Sequence, residues 1–109
     1  MMKVKFANGV IKKCKALTEH KMYKKFGDET VGVSWLLTLF LKGTMTSTEL
    51  DEILTKDNIA SLEFMTEVDN EGDKHLYTLE GYDTVTFSSI RYSDDINEII
   101  TEIQLTKGV

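Results

Sequence analysis

Cysteine and histidine side chains give this chain few means of covalent or metal chemistry, because it contains one cysteine, Cys14, and two histidines, His20 and His75. Nucleophilic catalysis needs a nucleophile, a base and a group that orients the base. The lysines around Cys14 could lower the pKa of its thiol, although a lone cysteine within a strand usually serves packing. Zinc sites need paired cysteines or histidines at short spacing. The sequence therefore predicts no catalytic residue and no metal site.

Two other patterns contain ligand-type residues without the spacing that a ligand site needs. The acidic segment Asp69-Asn70-Glu71-Gly72-Asp73 lacks the glycine at the sixth position of a calcium loop and the glutamate that ends one, and it is typical of a solvated hairpin tip. The glycines occur singly, and none forms a phosphate-binding loop. We therefore expect no cofactor and no enzyme activity, since an enzyme hypothesis would depend on His75 and nearby carboxylates.

Charge is distributed unevenly along the chain, whose net charge is −5. Residues 1–25 contain eight lysines and one glutamate, a net charge of +7, whereas residues 26–109 contain five basic and seventeen acidic residues, a net charge of −12. Such polarity can steer a partner or join copies of one chain head to tail. It also arises when basic and acidic strands simply pair within one fold. The predicted interaction surface consists of six lysines: Lys12, Lys13, Lys15, Lys21, Lys24 and Lys25.

Nucleic-acid binding and nucleic-acid mimicry are two further interpretations of these charges. Lysines interleaved with Tyr23 and Phe26 are typical of surfaces that bind single strands, but a pI of about 5.0 argues against a nucleic-acid partner. Conversely, the acidic residues could occupy the basic channel of a nucleic-acid enzyme if they form one face. A small acidic inhibitor or adaptor of such a host enzyme is therefore the alternative hypothesis.

The length of 109 residues fits a single domain over residues 1–109, with a core that needs no disulfide. The apolar runs are shorter than the ~20 residues of a membrane-spanning helix, and the first residues have no signal-peptide pattern. A single cysteine agrees with a reducing compartment. We expect a cytoplasmic protein, or one assembled into a virion or phage-like particle, without membrane contact.

Alternation of apolar and polar residues predicts strands over most of the chain. Residues 31–41 show it best, with a tryptophan and leucines on one face and Leu36 and Phe40 on the other. This pattern indicates a central strand that is covered on both sides. Asn8-Gly9 predicts a hairpin turn of type I′. Residues 18–27 could extend a strand or form a loop.

One short helix is predicted over about residues 47–56. Thr46 and Glu49 form a capping box at its start, and an apolar stripe follows at helical spacing. Lys56 lies at the far end, and Asn58 is suited to the left-handed position that follows a helix. Because the helix is too short to be stable alone, its apolar stripe must pack on the sheet.

Together these elements predict an α+β fold, mostly β. Its antiparallel sheet has six or seven strands and forms a sandwich or a partly open barrel with one helix covering it. Residues 61–68 and 75–81 should form one hairpin, and residues 84–92 and 98–106 another, with Asp94-Asp95 in its turn. Residues 4–6 and 99–106 are the candidate edge strands. The predicted core consists of Trp35, Leu37, Leu39, Leu50, Ile53, Leu54, Phe64, Phe87 and Ile103.

Three segments, together about a quarter of the chain, carry a family resemblance: Val4-Lys5-Phe6-Ala7-Asn8-Gly9, Thr48-Glu49-Leu50-Asp51-Glu52-Ile53-Leu54, and Glu102-Ile103-Gln104-Leu105 with Lys107-Gly108. With them the chain resembles small proteins encoded among phage and prophage structural genes. The resemblance implies a β-rich tail- or baseplate-type protein that works by assembly, and it carries over no functional residue. We expect a non-catalytic structural or protein-interaction domain that self-associates or docks on protein partners.

Overall fold

Strands make up most of the structure, as the alternating sequence pattern predicts. The computed structural model describes residues 2–66, 76–92 and 98–108. Within these ranges the strands are β1 (Met2–Lys5), β2 (Ile11–Phe26), β3 (Glu29–Lys42), β4 (Ser61–Met65), β5 (Leu76–Glu80), β6 (Thr84–Tyr92) and β7 (Ile99–Gly108), and the helices are α1 (Ser47–Ile53) and α2 (Lys56–Ile59). The predicted fold class, α+β and mostly β, is confirmed.

The strands form one antiparallel sheet in the order β5-β4-β1-β2-β3-β7-β6. The two predicted hairpins are present, since β4 pairs with β5 and β6 pairs with β7. Their turns, which include the acidic segment 69–73 and Asp94-Asp95, lie outside the described residues. The ambiguous segment 18–27 continues β2 as far as Phe26.

Among the described strands, β5 and β6 lie at the edges of the sheet, so the edge strands predicted from the sequence are wrong. Residues 4–6 fall in β1 and the turn after it, and β1 pairs with β2 on one side and with β4 on the other. Residues 99–106 belong to β7, which lies between β3 and β6. The prediction assumed that the first and last strands in sequence lie at the edges. Each of these strands instead pairs with a second neighbour from a distant segment of the chain.

A short link between the two edge strands requires the sheet to curl. β5 ends at Glu80 and β6 begins at Thr84, and this length of chain reaches about 15 Å at most. The link is also bonded to both sides of the sheet, because the Gly81 N–H donates to the Ala60 carbonyl (2.8 Å) and the Asp83 N–H to the Thr106 carbonyl (3.2 Å). Among the described strands β5 and β6 do not pair with each other, so the sheet is not closed and corresponds to the partly open barrel, one of the two arrangements predicted beside a sandwich.

The core fills the concave side of this barrel. Of the predicted core residues, Leu37, Leu39, Ile53, Phe64 and Ile103 are buried. Trp35, Leu50 and Leu54 are partly buried against them, and the side chain of Phe87 lies outside the described part. Among the described residues, the largest fully buried side chain is that of Tyr82, which belongs to the link between the edges and was not predicted to be in the core.

The connection between β3 and β4 contains two short helices, whereas the sequence predicted one. The predicted cap is present, because the Glu49 N–H donates to the Thr46 hydroxyl (3.1 Å). Helix α1 then stops, since Leu54 has ψ 38°, and Lys56 begins α2 instead of closing α1. Asn58, predicted to take a left-handed conformation after the helix, lies within α2 and has no positive φ.

Asn58 is instead a buried polar link between the helices and the first turn. Its side-chain amide donates to the Ile53 carbonyl (2.7 Å), and its side-chain oxygen accepts from the Asn8 N–H (2.6 Å). Its backbone carbonyl accepts from the Ala7 N–H (3.1 Å). The Asn58 side chain, which is 5% exposed, therefore holds the two helices and the first turn together at one end of the barrel.

The first hairpin forms at Asn8-Gly9, as predicted, but with another turn geometry. The Phe6 N–H donates to the Val10 carbonyl, and the Gly9 N–H donates to the Phe6 carbonyl. Within this turn Gly9 has a positive φ of 92° and Asn8 does not, whereas a type I′ turn needs positive φ at both central residues. The turn therefore has the pattern of a three-residue loop that ends in a glycine bulge.

Candidate interaction surface

The hairpin of β2 and β3 extends well beyond its neighbours in the sheet. β1 pairs with β2 only as far as Cys14, and β7 pairs with β3 from Lys42 to Ser34. Beyond Ser34, the described strands that pair are β2 and β3 alone. We call residues 22–33 the arm. The Cα radius of gyration of 15.3 Å exceeds the roughly 13 Å of a compact chain of this length, as a projecting arm requires.

Glycine at the tip allows the arm to reverse direction within two residues. Phe26 pairs with Glu29, which leaves Gly27 and Asp28 as the turn. Gly27 has φ 61° and Asp28 does not have a positive φ, as expected for a type II′ hairpin turn with glycine first. The tip is therefore a tight hairpin turn, and the strands on both sides of it keep their register.

The arm exposes large apolar side chains on both faces. Met22, Phe26 and Val31 project from one face and are 45%, 55% and 42% exposed. Tyr23, on the other face, is 62% exposed, and Val33 at the bulge in β3 is 41% exposed. Five of the eight large apolar residues that are highly exposed in the described part of the chain therefore belong to the arm. Apolar side chains that cluster on a projecting element usually mark an interaction site.

Lysines lie against the aromatic rings of the arm and its base. The Lys21 ammonium is 5.7 Å from the centroid of the Trp35 ring and 5.9 Å from that of Tyr23. The Lys24 ammonium is 5.4 Å from the Phe26 ring centroid. A Cβ at Gly32 would lie 2.4 Å from Lys21 Cε, so a glycine there lets the Lys21 side chain cross the strand. The arm also contains Asp28 and Glu29, so residues 22–33 combine apolar area with charges of both signs and no net charge.

The six lysines predicted as one interaction surface are divided by the structure into two groups. Lys12 and Lys15 lie on the barrel, 3.6 Å from a carboxylate oxygen of Glu49 and 2.9 Å from one of Glu98. The hydrogen bond from Lys15, together with Lys42 at 3.5 Å, holds the pKa of Glu98 below its ordinary value. The exposed Lys13 also lies on the barrel, whereas Lys21, Lys24 and Lys25 lie on or beside the arm.

A buried tyrosine supports the base of the arm. The Tyr82 hydroxyl donates to the carboxylate of Glu19 on β2, and the Lys107 ammonium lies 4.7 Å from the Tyr82 ring centroid. Lys107 also donates to the Glu80 carbonyl (2.7 Å). Burial and the hydrogen bond to Glu19 raise the pKa of Tyr82. The link between the sheet edges is thereby fastened to the strand that continues into the arm.

At the opposite end of the barrel, a groove runs beside α1. It has a volume of about 160 Å³ and is lined by three apolar and three charged residues: Val10, Met45, Ile53, Lys12, Glu49 and Glu52. This volume is well below the roughly 300–1,000 Å³ typical of small-molecule sites. The groove is therefore of a size for a single protruding side chain.

The residues considered for chemistry do not come together into a reactive site. Cys14 is fully buried, and burial raises the pKa of its thiol, so the lowering suggested by the neighbouring lysines is wrong. His20 is exposed on β2, and His75 lies outside the described residues. In residues 2–66, 76–92 and 98–108, no group of three or more His, Cys, Asp or Glu side chains could hold a metal ion.

Comparison with known proteins found no matching family model, no similar curated protein and no similar solved structure. None of the helices in the described part of the chain has the length and apolar character needed to cross a membrane. Inference about function therefore depends on the arm, the groove and the distribution of charge.

Proposed function

We propose that this chain is a non-catalytic structural domain that acts through protein–protein contacts of its arm, by self-association or by docking on a larger assembly. The observation that carries the proposal is the arm itself, a two-stranded projection with five large exposed apolar side chains. Isolated two-stranded hairpins are marginally stable in water. A protein partner that covers the arm would remove this apolar surface from water and stabilise it.

The backbone of the arm supports the same role. The outer edge of β2 beyond Cys14 and that of β3 before Ser34 have no strand partner in the described ranges. Their N–H and C=O groups can pair with a strand of another chain, and natural sequences often place lysines along such edges to limit non-specific pairing. The lysines of the arm and the acids Asp28 and Glu29 near its tip would select partners with a complementary pattern of charge.

The resemblance described above gives the setting of the proposal. A component of a phage or prophage tail or baseplate would be made in the cytoplasm and act in the assembled particle. Such a component works by repeated contacts between copies or with neighbouring proteins, which is the role that a projecting apolar arm suits. Electron microscopy of purified assemblies would show whether rings or tubes form.

The test compares the native chain with an arm-shortened variant in which residues 23–33 are replaced by Asn-Gly. This dipeptide closes a two-residue hairpin directly at the Met22–Ser34 pair, so the barrel strands keep their register. Light scattering coupled to size exclusion, over a wide range of protein concentration and at low and high salt, should show oligomers for the native chain and monomers for the variant. Circular dichroism of both proteins controls for folding.

Two results would count against the proposal. Association of the arm-shortened variant equal to that of the native chain would remove the arm as the contact surface. A native chain that stays monomeric under every condition would exclude self-association and favour the alternative, an acidic inhibitor or adaptor that captures a nucleic-acid enzyme.

A further inference from the structure

We infer that the partner of the arm is a second copy of this chain, and that the two copies pair through the outer edges of their β2 strands in a two-fold dimer centred on Met22. This inference rests on the proposed function and names the partner for it. Three observations carry it: the edge of β2, the residues that one register of pairing brings together, and the position of the Lys21 side chain.

The outer edge of β2 from Leu17 to Phe26 presents a regular series of backbone groups. In the described part of the chain, the strand that pairs with this stretch is β3. Phe26 and Glu29 close a two-residue hairpin turn, so their pair is hydrogen-bonded. Because N–H and C=O groups alternate in direction along a strand, the even-numbered residues of 18–26 bond to β3, and the odd-numbered residues of 17–25 direct these groups outward. An antiparallel copy of the same edge presents the matching donors and acceptors.

Pairing of two arms would turn two hairpins into one sheet of four strands, in the order β3-β2-β2-β3. A hairpin of two strands is marginally stable in water, whereas three or more strands with an apolar face can be stable. A second copy therefore supplies the neighbour that the arm lacks among the described strands. The arm has no net charge, so two arms can lie side by side without a net repulsion.

Charge favours one register of this pairing. Two-fold pairing of identical antiparallel strands places one residue opposite its own copy, and residues equally far from it on either side face each other. With Met22 at the centre, Glu19 of each copy lies opposite Lys25 of the other, and both residues are exposed. Opposite charges at directly facing positions stabilise a sheet. This register therefore contains two such pairs, one on each side of the two-fold axis.

Neighbouring registers place like charges opposite each other. A centre at Lys21 or at Lys24 sets a lysine against its own copy, and a centre at Tyr23 sets Lys21 against Lys25. Like charges at directly facing positions destabilise a sheet. The register centred on Met22 avoids these contacts.

The Lys21 side chain leaves the outer edge open. A Cβ at Gly32 would lie 2.4 Å from Lys21 Cε, and the Lys21 ammonium is 5.7 Å from the centroid of the Trp35 ring. Gly32 and Trp35 both belong to β3, so this side chain lies over β3 and away from the outer edge of β2. It is therefore poorly placed to meet Glu19 of a second copy, as a register centred on His20 would require.

Apolar side chains lie at the proposed contact. Met22, which is 45% exposed, packs against its own copy at the two-fold axis. Phe26, which is 55% exposed and projects from the same face, lies opposite Thr18 of the other copy. Pairing thus removes apolar surface from water in addition to forming main-chain hydrogen bonds. Because each copy uses the same surface, the assembly closes at a dimer.

Cysteine cross-linking of the full chain tests the register directly. Met22 and its copy form a non-hydrogen-bonded pair with Cα atoms about 4.5 Å apart, which a disulfide can span. Met22→Cys should therefore give a covalent dimer under mild oxidation on a non-reducing gel. The matched control is Lys24→Cys on the same face, whose two copies lie about 13 Å apart along the strands and should not cross-link. The native Cys14 is buried and does not compete.

A mixture of two cysteine variants tests the same register at a second position. His20 of one copy lies opposite Lys24 of the other when Met22 is at the centre. A mixture of His20→Cys and Lys24→Cys should therefore form a covalent heterodimer, whereas neither variant alone should cross-link.

Charge reversal tests the facing pairs in solution. Lys25→Glu sets two glutamates against each other, and Glu19→Lys sets two lysines against each other, so each variant should dimerise roughly tenfold more weakly at low salt. An equimolar mixture should recover dimerisation, because every lysine then faces a glutamate. The control is Lys24→Glu, which makes the same charge change beside Lys25 but faces His20, and it should dimerise like the native chain. Circular dichroism of each variant controls for folding.

The outcomes separate this inference from the proposed function. If Met22→Cys cross-links no faster than Lys24→Cys, or if the mixture of charge variants associates as weakly as its components, the inference is overturned. The proposed function would still stand if the arm-shortened variant had lost association, because the arm would then act through another surface. Association of the arm-shortened variant equal to that of the native chain would overturn both.

Discussion

Substitution of Asn58 by leucine should destabilise the helical end of the barrel by an amount that the structure allows us to work out. The change removes two side-chain hydrogen bonds, to the Ile53 carbonyl and from the Asn8 N–H. Loss of the hydrogen bond to the buried Ile53 carbonyl costs about 1–3 kcal/mol, because this oxygen is then left without the donor. Loss of the hydrogen bond from the Asn8 N–H costs less, roughly 0.5–1.5 kcal/mol, because this group lies near solvent. We expect a loss of about 2–4 kcal/mol in the free energy of unfolding.

Urea unfolding followed by circular dichroism measures this loss. With a slope of about 1–3 kcal/mol per molar urea for a small domain, the midpoint should fall by roughly 0.7 to 4 M. Asp57→Ala, an exposed change on the same short helix, is the control and should stay within about 0.5 kcal/mol of the native value. A leucine variant as stable as this control would refute the assignment of Asn58 as a structural link.

Asn58→Asp gives the same reasoning a second, pH-dependent test. The carboxylate can still accept from the Asn8 N–H, but it cannot donate to the Ile53 carbonyl unless it is protonated. Burial raises the folded-state pKa of such a group above the roughly 3.9 of an unfolded aspartate. Folding therefore favours the protonated form. The loss in the free energy of unfolding, relative to the native protein, should be smaller near about pH 4 than at about pH 7. An equal deficit at both pH values would show that no donor is needed there.

Two further changes test the barrel and the base of the arm. Leu39→Ala leaves a cavity at a fully buried core position and should lower the free energy of unfolding by roughly 2–5 kcal/mol. The control, Val31→Ala at an exposed position, should lower it by about 0.5 kcal/mol or less. Equal urea midpoints for the two variants would contradict the placement of Leu39 in the core. Tyr82→Phe removes the hydrogen bond to Glu19 and should cost about 1–2 kcal/mol at neutral pH. Because the folded-state pKa of Tyr82 is raised, its contribution is present below about pH 10 and is lost as the pH rises through the folded pKa, so the native protein should lose stability above pH 10 more steeply than the phenylalanine variant. If the stabilities of the two proteins fell equally steeply above about pH 10, a raised folded-state pKa of Tyr82 would be contradicted.

Local signals predicted the elements of the fold, and long-range pairing decided their arrangement. Period-two alternation identifies the strands, and the Thr46–Glu49 pair marks the start of α1. The break at Leu54 has no such signal, because the second helix forms where the Asn58 side chain is needed between Ile53 and the first turn. Strand order is likewise a property of contacts between distant segments, so both predicted edge strands proved to be interior.

The interaction surface of six lysines stays a prediction, and the structure separates those lysines into two groups. Three of the six lysines lie on or beside the arm, but the length of the arm could not be predicted, because residues 18–27 carry no apolar alternation that separates strand from loop. Tyr82 was missed for another reason. It lies alone in a short link between Gly81 and Asp83, where no periodicity marks a residue as buried. A lone aromatic residue between turn formers is the signal that could have identified it.

The interior position of β7 has a consequence for the order of folding. β7 follows the other described strands in sequence, yet it lies between β3 and β6, and its residue Gly108 pairs with Ser34. Such distant pairings make folding slow compared with helical proteins of the same size. During synthesis, one edge of the apolar strand β3 stays unpaired after β3 has left the ribosome, until β7 has been made and can pair with it. That interval is when the chain is most exposed to aggregation or chaperone capture, and a neighbouring copy could then occupy the place of β7 before it arrives.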